Sequence, residues 1–264
     1  MYTVEMLARP INSAAFMVYN ACSSISGSEI TTMISAMNTE LAALSKVWGR
    51  TQIPVLAGVG NPVIEKTPMN AWPVYITDNT IPGIPPGTLG FHDMQHGVPY
   101  ARVFVNEIRK YGGVNLYKDE KSLTVASVVF HEIVEMFGNC FATGWTQDAV
   151  GNFWAMEVCD PVGSNRIVTN VTSVTTVDKK FVTTNTPVCL CDYVYPAWFN
   201  CESTAGPYNR ANTLTKPFQV DKKGHAIVFD GNSYSIFFGD SPTNDLKSKV
   251  MVDLKKMKFP SRRV

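Results

Sequence analysis

Apolar residues recur at intervals of three and four between Ser28 and Trp48, which is the spacing of one face of an α-helix. Ser28 or the preceding Ser26 could cap the start of this helix, and Gly49 could end it. We therefore predict a first helix over residues 28–48, whose buried face consists of Ile30, Met33, Ile34, Met37, Leu41, Leu44 and Val47.

Short runs rich in Val, Ile, Tyr and Phe follow, and Pro, Gly, Asn and Asp bound them, as is typical of β-strands. They occupy residues 53–60, 72–78 and 100–108. Between the second and third runs, residues 79–97 contain too much Pro and Gly for regular structure. We predict that this segment is a loop that crosses a sheet.

A second helical pattern covers residues 122–137, with Ser122 as its predicted cap and Gly138 and Asn139 as its stop. Beyond this helix the pattern changes, because Val alternates with Thr or Asn across residues 168–188. This alternation predicts a β-hairpin with one solvent-facing side. The remaining C-terminal segments are typical of short strands and loops.

Composition limits the class of protein but does not select a partner. The chain has 264 residues, of which 45% are hydrophobic and 17% are charged, so it can bury the core of one domain or at most two. A net charge of +1 gives no overall field that would favour nucleic acid or an anionic membrane. The last 18 residues carry seven Lys or Arg against one Asp, which indicates a solvated tail or a strip that docks a partner or nucleic acid.

Six cysteines are present without a C-x-x-C pair, and we interpret them mainly as buried thiols. Cys140 or Cys159 could reach Cys201 if the intervening loops fold back, provided that the compartment is oxidising. The N-terminal segment contains Glu5, Arg9 and Pro10, which argues against a secretory signal. No run approaches the roughly 20 apolar residues of a membrane-spanning helix.

The segment VVFHEIVEMFG places polar groups inside the second predicted helix. His131 and Glu135 are four positions apart, so they project from one helical face and could share a metal ion. Glu132 points about 100° away, where it could act as a general base on a water that the metal holds. The pattern is therefore H-E-x-x-E, in which glutamate replaces the second histidine of the H-E-x-x-H metalloproteases.

The apolar surroundings of this trio predict that its acids are buried, and buried carboxylates require a cation or a partner. Salt bridges to Arg or Lys would satisfy them as well as a metal would. For a further ligand we favour Glu157, with Asp160 as a second ligand or as a group that orients the ligands. Zinc is the expected ion, although the carboxylate-rich set would also accept manganese or calcium.

The evidence for a functional role is weaker for the remaining histidines and for two tyrosines. His92 and His96 precede the strand before the motif helix and could border a substrate cleft, but we favour loop histidines without catalytic duty. We interpret His225 as a residue at a strand edge. Tyr193 and Tyr195 could supply a hydrogen bond to a transition state, but tyrosines of this kind are often simply packed.

The segments HEIVEMFGN and MEVCDPV resemble those of an extended zincin-like group. One branch is the plant exordium or phosphate-induced proteins, in which an E-I-A-D segment follows the H-E-x-x-E helix. A closer likeness is to proteins encoded by tailed bacteriophages, and it spans roughly residues 30–220. The matching segments, in order, are Leu89–Asp93, Pro99–Val105, His131–Gly138, Glu157–Pro161 and Pro196–Phe199.

This resemblance implies an α+β, zincin-like (metalloprotease-like) fold, with a mixed sheet packed on an active-site helix and an edge strand over the cleft. The C-terminal part would be rich in β-hairpin and loop. The chain would then divide into an N-terminal arm at 1–27, a zincin-like domain at 28–240 with a hairpin insertion at 168–188, and a basic tail at 241–264.

The resemblance also implies an association with the virion or the host cytoplasm but does not settle activity. From the motif residues, our first hypothesis is a zinc-dependent peptidase that acts on a peptide or protein substrate, in which His131, Glu135 and Glu157 hold the ion and Glu132 activates water. The main alternative is a non-catalytic capsid or tail accessory protein that keeps the scaffold and contacts other virion proteins. A carbohydrate-binding module is a third reading, supported only by the aromatic residues at 193–199. Membrane is not an expected partner, and nucleic acid is expected only through the basic tail.

Overall fold

The computed structural model describes residues 15–60, 70–178 and 180–239. Within these ranges the chain forms a mixed α+β structure with three sheets. The predicted basic tail at 241–264 lies outside the described residues, as do the first 14 residues of the predicted arm. No helix within the described ranges is both long enough and apolar enough to cross a membrane.

The largest sheet has five strands in the order β2-β1-β3-β5-β4. Neighbouring strands run parallel except β4, which lies at one edge and pairs with β5 in the antiparallel direction. The bounds are β1 (Ala15–Asn20), β2 (Val55–Ala57), β3 (Ala71–Thr77), β4 (Gly90–Gln95) and β5 (Val98–Phe104).

Two of the sequence predictions are wrong in this sheet. The predicted N-terminal arm included residues 15–20, but these form β1 in the interior of the sheet. The predicted loop at 79–97 contains β4, which the run of Pro and Gly before it obscured. The short helix α2 (Val105–Lys110) takes up the end of the third predicted strand.

The long helix α1 (Gly27–Trp48) agrees with the prediction. Ser26 caps it in a capping box with Glu29, and Gly49 ends it in the left-handed conformation at φ 61°. Its predicted apolar face is largely buried against the sheet, and the fully enclosed side chains each contribute roughly 1.5–3 kcal/mol relative to exposure. These are Met33, Met37, Leu41 and Leu44.

Helix α3 (Val125–Asn139) carries the H-E-x-x-E motif. It begins three residues later than predicted, and Thr124 rather than Ser122 caps it, through a capping box with Ser127. The Thr124 hydroxyl also donates a hydrogen bond of 2.7 Å to the Cys189 carbonyl, which fixes the start of α3 to a neighbouring strand. The helix packs on β5, β4 and β3, and almost all of its residues are buried.

The predicted hairpin is confirmed and is longer than expected. Strands β8 (Arg166–Val177) and β9 (Lys180–Cys191) pair from Arg166 with Cys191 out to Val177 with Lys180. The end near Cys191 packs against α1 and α3, whereas the outer half of β9 is exposed to solvent.

The third sheet is antiparallel, with the order β11-β10-β7-β6. Its strands are β6 (Trp145–Gln147), β7 (Phe153–Ala155), β10 (His225–Phe229) and β11 (Tyr234–Phe238). Short 3₁₀ turns at Asp160–Val162 and Pro196–Phe199 connect this region to the hairpin and the core. Trp154, Trp198 and Phe199 are buried in this part of the core.

Candidate metal centre

Helix α3 projects His131 and Glu135 from one face, as their spacing predicted. The Nε2 atom of His131 lies 3.1 Å from Oε1 of Glu135 and 3.3 Å from Oδ1 of Asp160. Asp160 reaches this position because the 3₁₀ turn after β7 folds back against the helix. Three donors from two segments therefore converge, and they form one group that could hold a metal ion.

His225 adds a contact that the sequence analysis did not anticipate. It begins strand β10, and its Nε2 atom lies 3.1 Å from Oδ2 of Asp160. Asp160 therefore contacts one histidine with each carboxylate oxygen. The predicted strand position of His225 is confirmed, and its side chain also lies at the edge of the cluster.

His92 is the main residue that sequence reasoning missed. It lies on β4, and its Nδ1 atom is 3.2 Å from Oε2 of Glu135 and 3.4 Å from Oε2 of Glu132. These three residues form a second group that could hold a metal ion. The prediction that His92 lies in a loop was wrong, because His92 lies on β4 beside the acids of α3. One signal was available, since His92 belongs to the Leu89–Asp93 segment that carried the resemblance.

Gly90 explains how β4 comes so close to α3. A Cβ atom at this position would lie 2.7 Å from Oε1 of Glu132 and 3.0 Å from Cγ1 of Val128. Real Cβ atoms do not approach other atoms so closely, so a side chain here would push the strand from the helix. The glycine thus allows His92 to reach the acids of α3.

The sequence analysis favoured Glu157 as a further ligand of an ion at His131, but Glu157 lies beside His92 instead. Its Oε2 atom is 3.9 Å from Nε2 of His92, on the side of that ring away from Glu132. Asp160, not Glu157, completes the group around His131. All four acids named from the sequence are nevertheless brought into one cluster, namely Glu132, Glu135, Glu157 and Asp160.

The cluster is mostly enclosed, and some of its polar atoms lack hydrogen-bond partners. The side chains of His92 and Glu135 are 8% and 5% exposed. The buried atoms that make no hydrogen bond of good geometry are Nε2 of His92, Oε1 of Glu135 and Oε2 of Glu157, although Oε1 of Glu135 has its ion-pair contact with His131. Buried polar atoms are nearly always satisfied in folded proteins. Imidazole nitrogens and carboxylate oxygens are ligands for zinc and related cations, so these residues fit a bound divalent metal.

Basic side chains do not provide the neutralisation. Across the described ranges, the ion pairs of these four acids are all with His92, His131 or His225. The alternative prediction, in which Arg or Lys satisfies each acid, therefore receives no support from the part of the chain that is described.

Burial and mutual charge shift the pKa values of the cluster. Burial lowers the pKa of His92 and of His131, but contacts with the neighbouring carboxylates outweigh it and raise both pKa values well above the usual range. Burial likewise raises the pKa of Asp160, but hydrogen bonds from His131 and His225 lower it well below its usual value. Without a metal, the histidines would therefore be protonated and would neutralise the carboxylates.

The pKa values of Glu132 and Glu157 are raised, in the opposite direction from that of Asp160. Burial, followed by repulsion from Glu135, raises the pKa of Glu157 to about 8. Burial also raises the pKa of Glu132, although His92 partly offsets the effect. A carboxylate with a raised pKa is suited to accept a proton near neutral pH.

The cysteines do not form the bridge that the sequence allowed. All six are free thiols, including Cys140, Cys159 and Cys201. Cys159 and Cys191 lie 3.6 Å apart between their sulfurs, and with His131 they form a third group of metal-ligand type. Burial, and then the neighbouring thiol, raises the pKa of Cys159 well above its usual value, which disfavours the thiolate that a metal needs.

The tyrosine candidates lie elsewhere. Tyr193 is fully buried and its hydroxyl lies 3.4 Å from Oε2 of Glu40 on α1, while Tyr195 packs edge-on against Tyr193. Neither is among the contacts of the cluster. His96 occupies an exposed position after β4, at φ 52°, outside the cluster as predicted.

No protein-family model matches the chain, and no curated protein or solved structure is significantly similar to it. The functional interpretation therefore depends on the chemistry of the cluster.

Proposed function

We propose that this protein is a metal-dependent hydrolase with a peptidase-like site. The observation that carries the proposal is the convergence of His131, Glu135 and Asp160 at 3.1–3.3 Å, in a buried cluster whose acids pair with histidines rather than with Arg or Lys. A shared cation would neutralise these acids and would bind the oxygen of Glu135 that makes no hydrogen bond of good geometry.

His131, Glu135 and Asp160 would hold the ion, and Glu157 would lie nearby as a further acidic group. A bound divalent metal supplies a Lewis acid that lowers the pKa of water and polarises a carbonyl. Glu132 would then accept a proton from that water, for which its raised pKa suits it. Zinc is the proposed ion, because nitrogen and oxygen donors at these separations suit it, and manganese is the main competitor.

The arrangement of the sheet supports a zincin-like fold. The resemblance implied a mixed sheet with an edge strand over the cleft and the motif helix beneath. Strand β4 is an antiparallel edge strand, and it packs on α3 with His92 facing the motif acids.

The position of β4 at the edge of the sheet supports a peptide as the substrate. An edge strand presents backbone N–H and C=O groups that an extended peptide can pair with. A peptide beside β4 would lie next to Glu132 and the histidines of the cluster, which is where hydrolysis of its backbone would require it.

Replacement of Glu132 by glutamine tests the proposal. We expect Glu132→Gln to lower the rate of peptide cleavage by about 10²- to 10⁴-fold, the usual contribution of a general base. The matched control is Glu120→Gln, which makes the same change at an exposed position. Cleavage would be followed on a mixture of fluorogenic peptides with zinc-loaded protein. Full activity of Glu132→Gln would refute the proposed role.

A non-catalytic role in a virion is the second candidate, and the hairpin favours it. Val174 and Phe181 are 61% and 84% exposed on a two-stranded ribbon. Exposed apolar side chains of this kind often mark contact surfaces. This role predicts self-association that Phe181→Ser weakens, measured by sedimentation velocity. A stable monomer that cleaves peptides would count against it.

A further inference from the structure

The two candidate ligand groups of the cluster share one residue. Glu135 directs Oε1 to His131 at 3.1 Å and Oε2 to His92 at 3.2 Å. We propose that the cluster binds two divalent cations, with Glu135 as the carboxylate that bridges them. One cation would be held by His131, Glu135 and Asp160, and the other by His92, Glu135 and Glu132. This inference rests on the proposed function and extends it.

The separations within both groups agree with this assignment. Donors about 2.0–2.1 Å from a tetrahedral zinc lie roughly 3.3 Å from one another. His131 lies 3.1 and 3.3 Å from its two carboxylates, and His92 lies 3.2 and 3.4 Å from its own. The second group is therefore as compact as the first.

The second ring nitrogen of His92 faces Glu157, as is common for a histidine that binds a metal. His92 is only 8% exposed, and its Nε2 atom has no hydrogen-bond partner although Oε2 of Glu157 lies 3.9 Å away. That oxygen of Glu157 also lacks a partner. Histidines that bind a metal through one ring nitrogen commonly direct the other N–H to a carboxylate, and Glu157 lies on that side of His92.

Charge favours two ions over one. The cluster contains four carboxylates, and the two histidines proposed as ligands, His92 and His131, contribute no charge when they bind as neutral imidazoles. One divalent cation would leave two buried negative charges if all four acids were ionised, whereas two cations would balance them. Buried charge without compensation is strongly disfavoured. Centres with two metal ions hydrolyse peptide and phosphate esters by stabilising both the attacking and the leaving oxygen.

The proposal gives Glu132 a second role. When only the first ion is bound, Glu132 is free to act as a base, and when the second ion is bound, it is a ligand. Activity alone cannot separate these roles, because Glu132→Gln impairs both. The amount of bound metal separates them, since only the two-ion arrangement requires Glu132 and His92 for binding.

Metal content after equilibrium dialysis with Mn²⁺ or Zn²⁺ tests the inference. We expect two ions per chain in the unmodified protein and one in His92→Asn, Glu132→Gln and Asp160→Asn. His96→Asn, a histidine change outside the cluster, should keep two. Near-ultraviolet circular dichroism checks that each variant is folded.

The Mn²⁺ form gives a second, spectroscopic readout. Two ions bridged by one carboxylate should give an exchange-coupled electron paramagnetic resonance signal, which His92→Asn should convert to that of an isolated ion. One ion in the unmodified protein, or two ions in His92→Asn, would overturn the inference and leave the proposed hydrolase intact. Absence of bound metal would overturn both proposals.

Discussion

Two groups of buried acids in this protein are satisfied in different ways. Glu40 on α1 is 4% exposed, and Arg210 donates to it from Nε at 2.9 Å, while Thr169 donates at 3.0 Å. The acids of α3 are enclosed to a similar degree, yet only histidines pair with them, and Oε1 of Glu135 makes no hydrogen bond of good geometry.

The difference indicates which acids serve the fold and which serve a ligand. Asp192 follows the pattern of Glu40, because it is fully buried and accepts hydrogen bonds from the side chain of Asn209 and the backbone of Ala211. This fold thus neutralises structural acids with its own donors. The α3 cluster lacks such donors, as expected of a site that a cation completes.

The largest expected effect on stability comes from breaking the internal ion pair. Arg210→Leu should lower the free energy of unfolding by about 3 kcal/mol, at the lower end for a buried pair because Arg210 is partly exposed. In the same metal-free protein, Glu135→Gln should lower it by less than Arg210→Leu does, because relief of repulsion from Glu132, Glu157 and Asp160 partly offsets the lost contacts with the histidines. Urea denaturation with chelator present measures both. An equal loss in both variants would contradict the distinction between the two groups.

Metal binding should stabilise the protein through the α3 cluster and should not depend on the ion pair between Glu40 and Arg210. At a metal concentration 100 times the Kd, each bound ion should add about 2.7 kcal/mol to the free energy of unfolding. The same increment should appear in Arg210→Leu and be much smaller in His131→Ala. Thermal unfolding with and without zinc measures it, and an increment of the same size in His131→Ala would show that the metal binds elsewhere.

Acid should weaken metal binding, because metal must displace protons from the cluster. His92 and His131 have pKa values well above 6.5 in the metal-free fold, so each proton displaced should lower metal affinity about tenfold per pH unit below those values. Calorimetry in buffers of different ionisation enthalpy counts the protons released. A metal affinity that does not change between pH 6 and about 8 would contradict this description.

The sign of the stability change follows from the same pKa shifts. A raised histidine pKa stabilises the metal-free fold fully below 6.5, and this contribution is lost as pH rises through the folded value. Glu157 acts in the same direction between 4.5 and about 8. The metal-free protein should therefore lose stability as pH rises over the range in which metal binds more tightly.

The smallest expected effect concerns the second donor to Glu40. Thr169→Val should cost about 1 kcal/mol, because it removes one buried hydrogen bond to an acid that Arg210 still pairs with. Thr172→Val, at an exposed hydrogen bond on the same strand, should stay within about 0.5 kcal/mol. Urea denaturation compares them, and equal effects would show that burial does not matter at Glu40.

Local patterns predicted the parts of the molecule that local forces determine. The spacing of apolar residues and the caps predicted α1, and the alternation of Val with Thr predicted the hairpin. The spacing of His131, Glu132 and Glu135 on a helix also followed from local geometry.

The remainder depends on contacts between distant segments, which periodicity does not encode. Strand β4 was missed because Gly90 fits there for reasons of close packing on α3, not of strand propensity. His92 and His225 join the cluster through tertiary folding from 39 positions before His131 and 94 after it. The sequence could name the acids but not their arrangement around the histidines.

The most direct test of the central claim is anomalous X-ray diffraction, at the zinc absorption edge, from crystals of protein purified without chelator and loaded with zinc. A shared cation predicts an anomalous peak about 2 Å from His131 Nε2 and from oxygens of Glu135 and Asp160. An empty cluster in which protonated histidines or a lysine or arginine neutralise the acids would contradict it.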